Sequence, residues 1–469
     1  MTTLLPTLGG ITREARTYAV QELFRRAGVT GDLYHSWVVD FEGKYTTVRL
    51  GPGGRKLLRF PHARFPTWED LRTAQFYVLR AGWMHPSAGS QSPPISQFVV
   101  PFSETDLPSG FPLFQQVADD CVQCSVDLPL SAILTLSRFE EDQTSERDLH
   151  GRFASKQSLA SKHGFLTRPI VDEYGLALEQ ALSCLLPRWR PIPRKLRAKL
   201  SHDVDLVGIP WSWRETVGHA VKRHDPVAVL RDVVAAFTSK NPSYLEMVLW
   251  IADLSSGRGL DSAFYWKASS SGRYDSGYDP RHPKIHRVIT WLSEHGIENG
   301  VHPGYETFKC SERLAAEVQL LKEAIPNQPL GGRQHYLRWC QETWLDWEAC
   351  GLAYDSTVGF ADALGFRAGT CIPYRPWLMA ANREARLLEI PLVVMDSTPI
   401  GYMGLTPQAS LPLIEECLKA CRMVGGVFTL LWHNTTLLDP AYGNLYENLL
   451  DRLEGAERFD WRTCLEQDS

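Results

Sequence analysis

The hydrophobic period of the chain changes repeatedly. Residues 12–28 (TREARTYAVQELFRRAG) place apolar side chains at helical spacing and stop at Gly28, which predicts an amphipathic helix. DLYHSWVVDF at 32–41 and YTTVRLG at 45–51 have extended, alternating character, and GPGG at 51–54 marks a turn. SQFVVPF at 96–102 predicts a further strand. Residues 118–141 run from an extended piece into a helix that begins near 128. SERDLHGRFASKQS (145–158) reads as a polar loop, and 171–186 is helical. The basic, proline-rich segment PRWRPIPRKLR (187–197) reads as a linker. It separates an expected smaller N-terminal α/β domain, residues 1–190, from a larger C-terminal domain, residues 196–469.

Beyond the linker, short apolar runs alternate with helical ones. KLSHDVD ends a strand near 203, HPKIHRVITWLSEHG (282–296) is a helix, and ENGVHPGY is strand and loop. In the helix SERLAAEVQLLKEAI (311–325), Leu314, Val318, Leu321 and Ile325 share one face and Ser311 is the expected N-cap. TWLDWEACG (343–351) is a short helix before the strand LAYDST, and LLEIPLVVMDST (387–398) is another strand. SLPLIEECLKACRMVGG (410–426) is a helix leading into the strand VFTLLWHN. This repeated strand–helix order predicts an α/β fold with a mostly parallel sheet or barrel.

Charge and composition exclude several classes. Lys plus Arg is 49 and Asp plus Glu is 54, a net charge of -5, so no basic surplus exists to neutralise a nucleic-acid backbone. No apolar run reaches about 18 residues, the length that predicts a membrane span. The N-terminus lacks a basic segment followed by an apolar core, so a signal peptide is not expected and the expected compartment is the cytoplasm. Ten cysteines in 469 residues are too sparse for a disulfide scaffold. Cys121 and Cys124 form a lone CxxC with no second pair nearby to complete a zinc site. The 15 tryptophans suit sugar stacking or core packing, and packing is the expectation for each one.

Metal-capable residues recur directly after apolar strands: Asp203 and Asp205, His302, Asp355, Asp396 and His433. In a parallel α/β fold such strand ends lie on one face, where active sites form. Two carboxylates in Asp203-Val204-Asp205 can divide labour, one binding a cation and one accepting a proton from water. Pro303 and Gly304 force a sharp exit after His302. His433 follows the buried-type run Leu430-Leu431-Trp432, as a strand-end general acid would.

In order and spacing these segments resemble the polysaccharide deacetylase family (carbohydrate esterase family four, NodB homology). SHDVD (201–205) looks like its first motif, which would make Asp203 the catalytic base and Asp205 a metal ligand. GVHPGY (300–305) looks like the second, with His302 as a metal histidine. RQHY (333–336) looks like the third, whose arginine orients the base, so Arg333 inherits that role. AYDST (353–357) stands in place of the fourth, with Asp355 as its carboxylate, and Asp396 competes with it as the partner of His433. LLWH (430–433) looks like the fifth, implying that Leu431 lines an acetyl pocket and His433 is the general acid. DLPLSAILTLSRFEE and HGRFASKQS resemble a domain of unknown function found ahead of such deacetylases in bacterial surface-polysaccharide gene clusters.

One departure is plain. The second motif normally carries another histidine four residues after the first, and here that position is Glu306. The third ligand is expected to be His335, with Glu306 as the competing choice; an Asp-His-His set suits zinc, with cobalt or nickel possible. His282 and His286 are a rival pair four residues apart. Tyr305, Tyr336 and Arg367 are candidate substrate-binding residues, Arg367 for an anionic group. The resemblance implies a distorted (β/α) barrel that removes an N-acetyl group from an amino sugar in surface-polysaccharide metabolism. The alternatives are the same metal site acting on another amide or an ester, and a non-catalytic carbohydrate-binding protein.

Overall fold

The structure, a computed structural model, describes residues 7–8, 10–29, 37–65, 67–83, 97–208, 243–269, 272–325 and 330–466. Residues 1–6 of the N-terminal stretch, and positions 32–36 and 96 of two expected strands, lie outside the described residues. The fold is mixed α/β with several separate sheets. The chain divides into two compact units: Met1–Arg197 with Leu337–Thr429 and Asp460–Ser469, and Ala198–Tyr336 with Leu430–Phe459.

In the first unit the helix Arg13–Arg26 begins where the Thr12 side chain accepts from the Ala15 N–H at 3.1 Å. It packs against the helices Leu128–Leu136 and Ile170–Leu185, burying Ala15, Tyr18, Leu130, Ile133 and Leu134. A five-stranded sheet runs in the order Val38–Glu42, Tyr45–Leu50, Lys56–Pro61, Cys121–Cys124, Phe114–Ala118. The 51–54 turn joins two of its strands as an antiparallel hairpin. Cys121 and Cys124 are buried free thiols on that sheet, and Cys417 and Cys421 are buried on the helix Pro407–Val424. Buried ion pairs tie sequence-distant segments of this unit together. Arg367 forks onto Glu141 at 2.9 and 2.6 Å, and Asp172 receives Arg26 Nε and the Cys371 N–H at 2.8 and 2.7 Å.

Two local expectations are corrected. The 387–398 strand is two short ones, Leu388–Glu389 and Val394–Met395. Pro391 lies between them and brings no N–H to a ladder. The N-cap of the helix Ser311–Ala324 is Cys310, whose side chain makes no capping bond, rather than Ser311.

The second unit is built on parallel strands. Arg197–Val204, all but its first residue in this unit, pairs with Ser262–Trp266, which pairs with Glu298–Val301. A parallel bridge then joins Val301 to Gly332. The helices Tyr244–Ser256, Pro283–Glu294 and Ser311–Ala324 alternate with these strands in sequence. The strands are buried nearly throughout, as parallel sheets are. Leu430 joins the first strand through the Ser201 hydroxyl, which donates to its carbonyl at 3.1 Å. Among the described residues the sheets are open, without a closed barrel. No helix among them is long and apolar enough to cross a membrane.

The register positions the site. Val204, Trp266, Val301 and Gly332 are successive partners across the sheet. The next residue of each segment is Asp205, Lys267, His302 and Arg333, a row one step past the carboxyl ends of the strands. In open α/β sheets this is where ligands bind. The closeness of the last pair requires glycine: a Cβ on Gly332 would fall 1.8 Å from the Val301 carbonyl oxygen.

Candidate metal centre

Asp205, His302 and His335 bring one ligand atom each to within 4.8 Å of one another. Both imidazoles are oriented from behind. His302 Nδ1 lies 2.7 Å from the Arg333 carbonyl oxygen, an acceptor, so Nδ1 carries the proton and the Nε2 lone pair faces forward. His335 Nδ1 lies 2.7 Å from Asp275 Oδ1, which fixes the same tautomer. The two Nε2 atoms then stand 3.5 and 3.4 Å from Asp205 Oδ1. His302 Nε2 is buried with no hydrogen-bond partner among the described residues, and Asp205 Oδ1 meets the Lys267 ammonium at 2.8 Å. Forward-facing lone pairs on two imidazoles and a carboxylate fit a divalent transition metal.

Electrostatics set the charge of these three groups. Burial alone would raise the Asp205 carboxyl, but the Lys267 ammonium, with His302 and His335 beside it, holds it well below the usual carboxylate range. Burial pushes His335 down despite the flanking carboxylates of Asp205 and Asp275, which favours the neutral imidazole, the form able to bind a metal. Burial works against the Asp275 carboxylate as well, but His335, Lys267 and the Tyr305 N–H bring it to about 2.

Asp203 and Asp205 leave their strand on the same side, two residues apart. Asp203 is buried and accepts from Arg333 Nη1 at 2.9 Å, while Arg333 Nη2 donates to the Ser201 hydroxyl at 3.0 Å. The Arg333 guanidinium also lies over the Tyr265 ring, 5.1 Å from its centroid. His433 Nε2 stands 3.7 Å from Asp205 Oδ2, and Leu431, two residues earlier, is fully buried. Tyr305 and Tyr336 meet edge to face at 5.3 Å, with Tyr274 4.3 Å from Tyr305 and Tyr336 4.7 Å from the His335 ring.

The loop after His302 is clamped. Gly304 N–H donates to Glu317 Oε2 at 2.8 Å and Tyr305 N–H to Asp275 Oδ2 at 2.9 Å. A Cβ on Gly304 would lie 2.5 Å from Ser269 Cβ. Glu306 is exposed on the turn Tyr305–Thr307 and is not in the three-ligand cluster. His282 is the exposed N-cap of its helix, where its ring accepts from the Lys284 N–H at 3.4 Å, and His286 lies beside Thr290.

Asp355, Asp396 and Arg367 belong to the first unit. Asp355 accepts from the Thr357 N–H at 2.9 Å, and Asp396 from the Ser397 N–H at 2.7 Å. Arg367 is buried, with Nε and Nη2 on Glu141 and Nη1 on the Gly359 carbonyl at 3.1 Å.

Two residues at the site went unread in the sequence. Lys267 directly follows the apolar strand SAFYW, so the strand-end rule that selects Asp205 and His302 selects it too. Asp275 sits in an irregular loop and carries no periodic signal.

Residues 67–187 match a family model described as a family of unknown function, DUF7033. No curated protein matches the chain. Among solved structures, a putative polysaccharide deacetylase from Mycobacterium smegmatis is similar at 15% identity and a TM-score of 0.39, covering 59% of this chain and 91% of that one. A probable polysaccharide deacetylase from Pseudomonas aeruginosa PAO1 is similar at 13% identity and a TM-score of 0.39, covering 58% and 91%. A putative polysaccharide deacetylase involved in O-antigen biosynthesis from Bordetella bronchiseptica is similar at 14% identity and a TM-score of 0.29, covering 58% and 90%.

Proposed function

We propose that the protein is a metal-dependent hydrolase that removes an N-acetyl group from an amino sugar in bacterial surface-polysaccharide metabolism, on a distorted (β/α) scaffold of the deacetylase type. The observation that carries this reading is the meeting of Asp205, His302 and His335, with the Asp203–Arg333 pair beside them and His433 3.7 Å from Asp205. Asp205, His302 and His335 would hold the cation, zinc in the first instance, which supplies Lewis acidity toward water and the amide carbonyl when bound.

The chain's own groups then do the proton work. Asp203, held by the Arg333 guanidinium, takes a proton from the attacking water. His433 gives a proton to the departing amine, without which an amide nitrogen leaves poorly. The Tyr336 N–H is the backbone donor assigned to the developing oxyanion. Leu431 provides the apolar wall for the acetyl methyl, and Tyr305 and Tyr336 offer ring and hydroxyl contacts to the sugar.

The test is acetate release from N-acetylated amino sugars together with bound-metal analysis. Native protein is expected to hold near-stoichiometric metal that Asp205→Ala loses. Asp203→Ala and His433→Ala are expected to keep metal and lose at least about 100-fold in turnover. Metal-dependent release from other amides or esters, with none from amino sugars, would assign the site to a different acyl substrate. Absence of both metal and turnover would leave carbohydrate binding.

A further inference from the structure

Lys267 is the residue of the strand-end row that the proposed chemistry does not use. Its side chain is 1% exposed, so its ammonium needs partners inside the site. It has three: Asp205 Oδ1 at 2.8 Å, Asp275 Oδ1 at 3.3 Å and the His335 ring, with Nε2 at 3.1 Å and Nδ1 at 3.3 Å. Two of these atoms, Asp205 Oδ1 and His335 Nε2, are the ones a metal would take.

Charge decides whether both cations fit. A carboxylate has several lone pairs and can be shared. A neutral imidazole with its proton on Nδ1 has a single lone pair, on Nε2. The contact to Asp275 places the His335 proton on Nδ1. That lone pair suits a metal at about 2.0–2.1 Å, but the ammonium, within 3.3 Å of both ring nitrogens and 2.8 Å from Asp205 Oδ1, would then stand against a second cation in the same buried cage.

We infer that Lys267 and a divalent metal are alternative occupants of the Asp205–His335 cage: the ammonium neutralises it in the metal-free protein and must withdraw for the metal to enter. This rests on the metal-site reading above. Removing the ammonium therefore favours metal twice, by taking a like charge out of the cage and by leaving two carboxylates, Asp205 and Asp275, without their countercharge. The same change weakens the metal-free protein, because the carboxylates then face one another unneutralised.

The experiment measures Co2+ and Zn2+ binding by equilibrium dialysis with elemental analysis, on metal-stripped full-length native protein, Lys267→Met and Lys267→Gln. Thermal melting of the stripped and loaded forms is followed in parallel. The expected result is that a substituted protein binds at least about tenfold tighter than native, melts lower than native when stripped, and recovers when loaded. The glutamine variant keeps the test available if methionine does not fold. Equal or weaker binding in the variants overturns the role of Lys267 and leaves the metal site standing. Metal held by the variants but not by native protein upholds the competition. No binding by any of the three overturns the metal reading and the competition together.

Discussion

The Arg333 carbonyl oxygen accepts from His302 Nδ1 at 2.7 Å while the Arg333 guanidinium donates to Asp203 at 2.9 Å. One residue thus orients an imidazole through its backbone and a carboxylate through its side chain. The two functions are separable by mutation. Arg333→Lys keeps the carbonyl but loses the planar fork. It is expected to keep metal affinity within about twofold of native and to lower acetate release about tenfold or more, checked by dialysis and turnover on the same preparation. Arg333→Ala leaves a buried carboxylate unpaired and is expected to cost about 3–5 kcal/mol in urea unfolding.

Asp275 acts on the site through His335. Asp275→Asn removes the anionic acceptor that fixes the Nδ1–H tautomer. Metal affinity is expected to fall about 10- to 100-fold, read by dialysis against a chelator series. Unchanged affinity would show that the ring is held by something other than this carboxylate.

The turn after His302 tolerates no side chain at Gly304. In Gly304→Ala the new methyl meets Ser269 Cβ at 2.5 Å, with Glu317 and Asp275 oxygens at 3.1 and 3.2 Å. The expected outcome is a loss of about 1–3 kcal/mol in urea unfolding and weaker metal binding, since Asp275 is one of the displaced groups.

In the first unit, burial opposes the Glu22 carboxylate, but Arg25 and Arg26 bring it down to about 2 from 4.5. A depressed carboxyl stabilises the folded state above its unfolded value, and the contribution fades as pH falls toward the folded value. The stability difference between native protein and Glu22→Gln is therefore expected to be largest above about pH 4.5, near 3 kcal/mol. It should shrink progressively toward pH 2. Urea midpoints at a series of pH values check this, and a difference that grows on acidification would contradict it.

Much of this was readable from periodicity. The helices Arg13–Arg26, Ile170–Leu185 and Pro283–Glu294 fall where apolar spacing and turn residues put them. Asp205 and His302 were legible because polar residues after buried strands stand out against an apolar background, whereas His335 was reached only through the resemblance of RQHY to a family motif. What escaped lies in longer-range relations. The Lys267 contact with His335 spans 68 residues, and only strand register brings the two together. The break in 387–398 was marked by Pro391, whose effect a continuous apolar run conceals.

The Arg367–Glu141 fork and the Asp172–Cys371 bond bear on where this protein can be cut. A gene fragment opening at residue 191 would keep the guanidinium and lose its carboxylate, so truncation there removes half of a buried pair. Expression boundaries should instead respect the interleaving of residues 1–197 with 337–429, and a circular permutant that makes those segments contiguous would be the better vehicle for studying either unit alone.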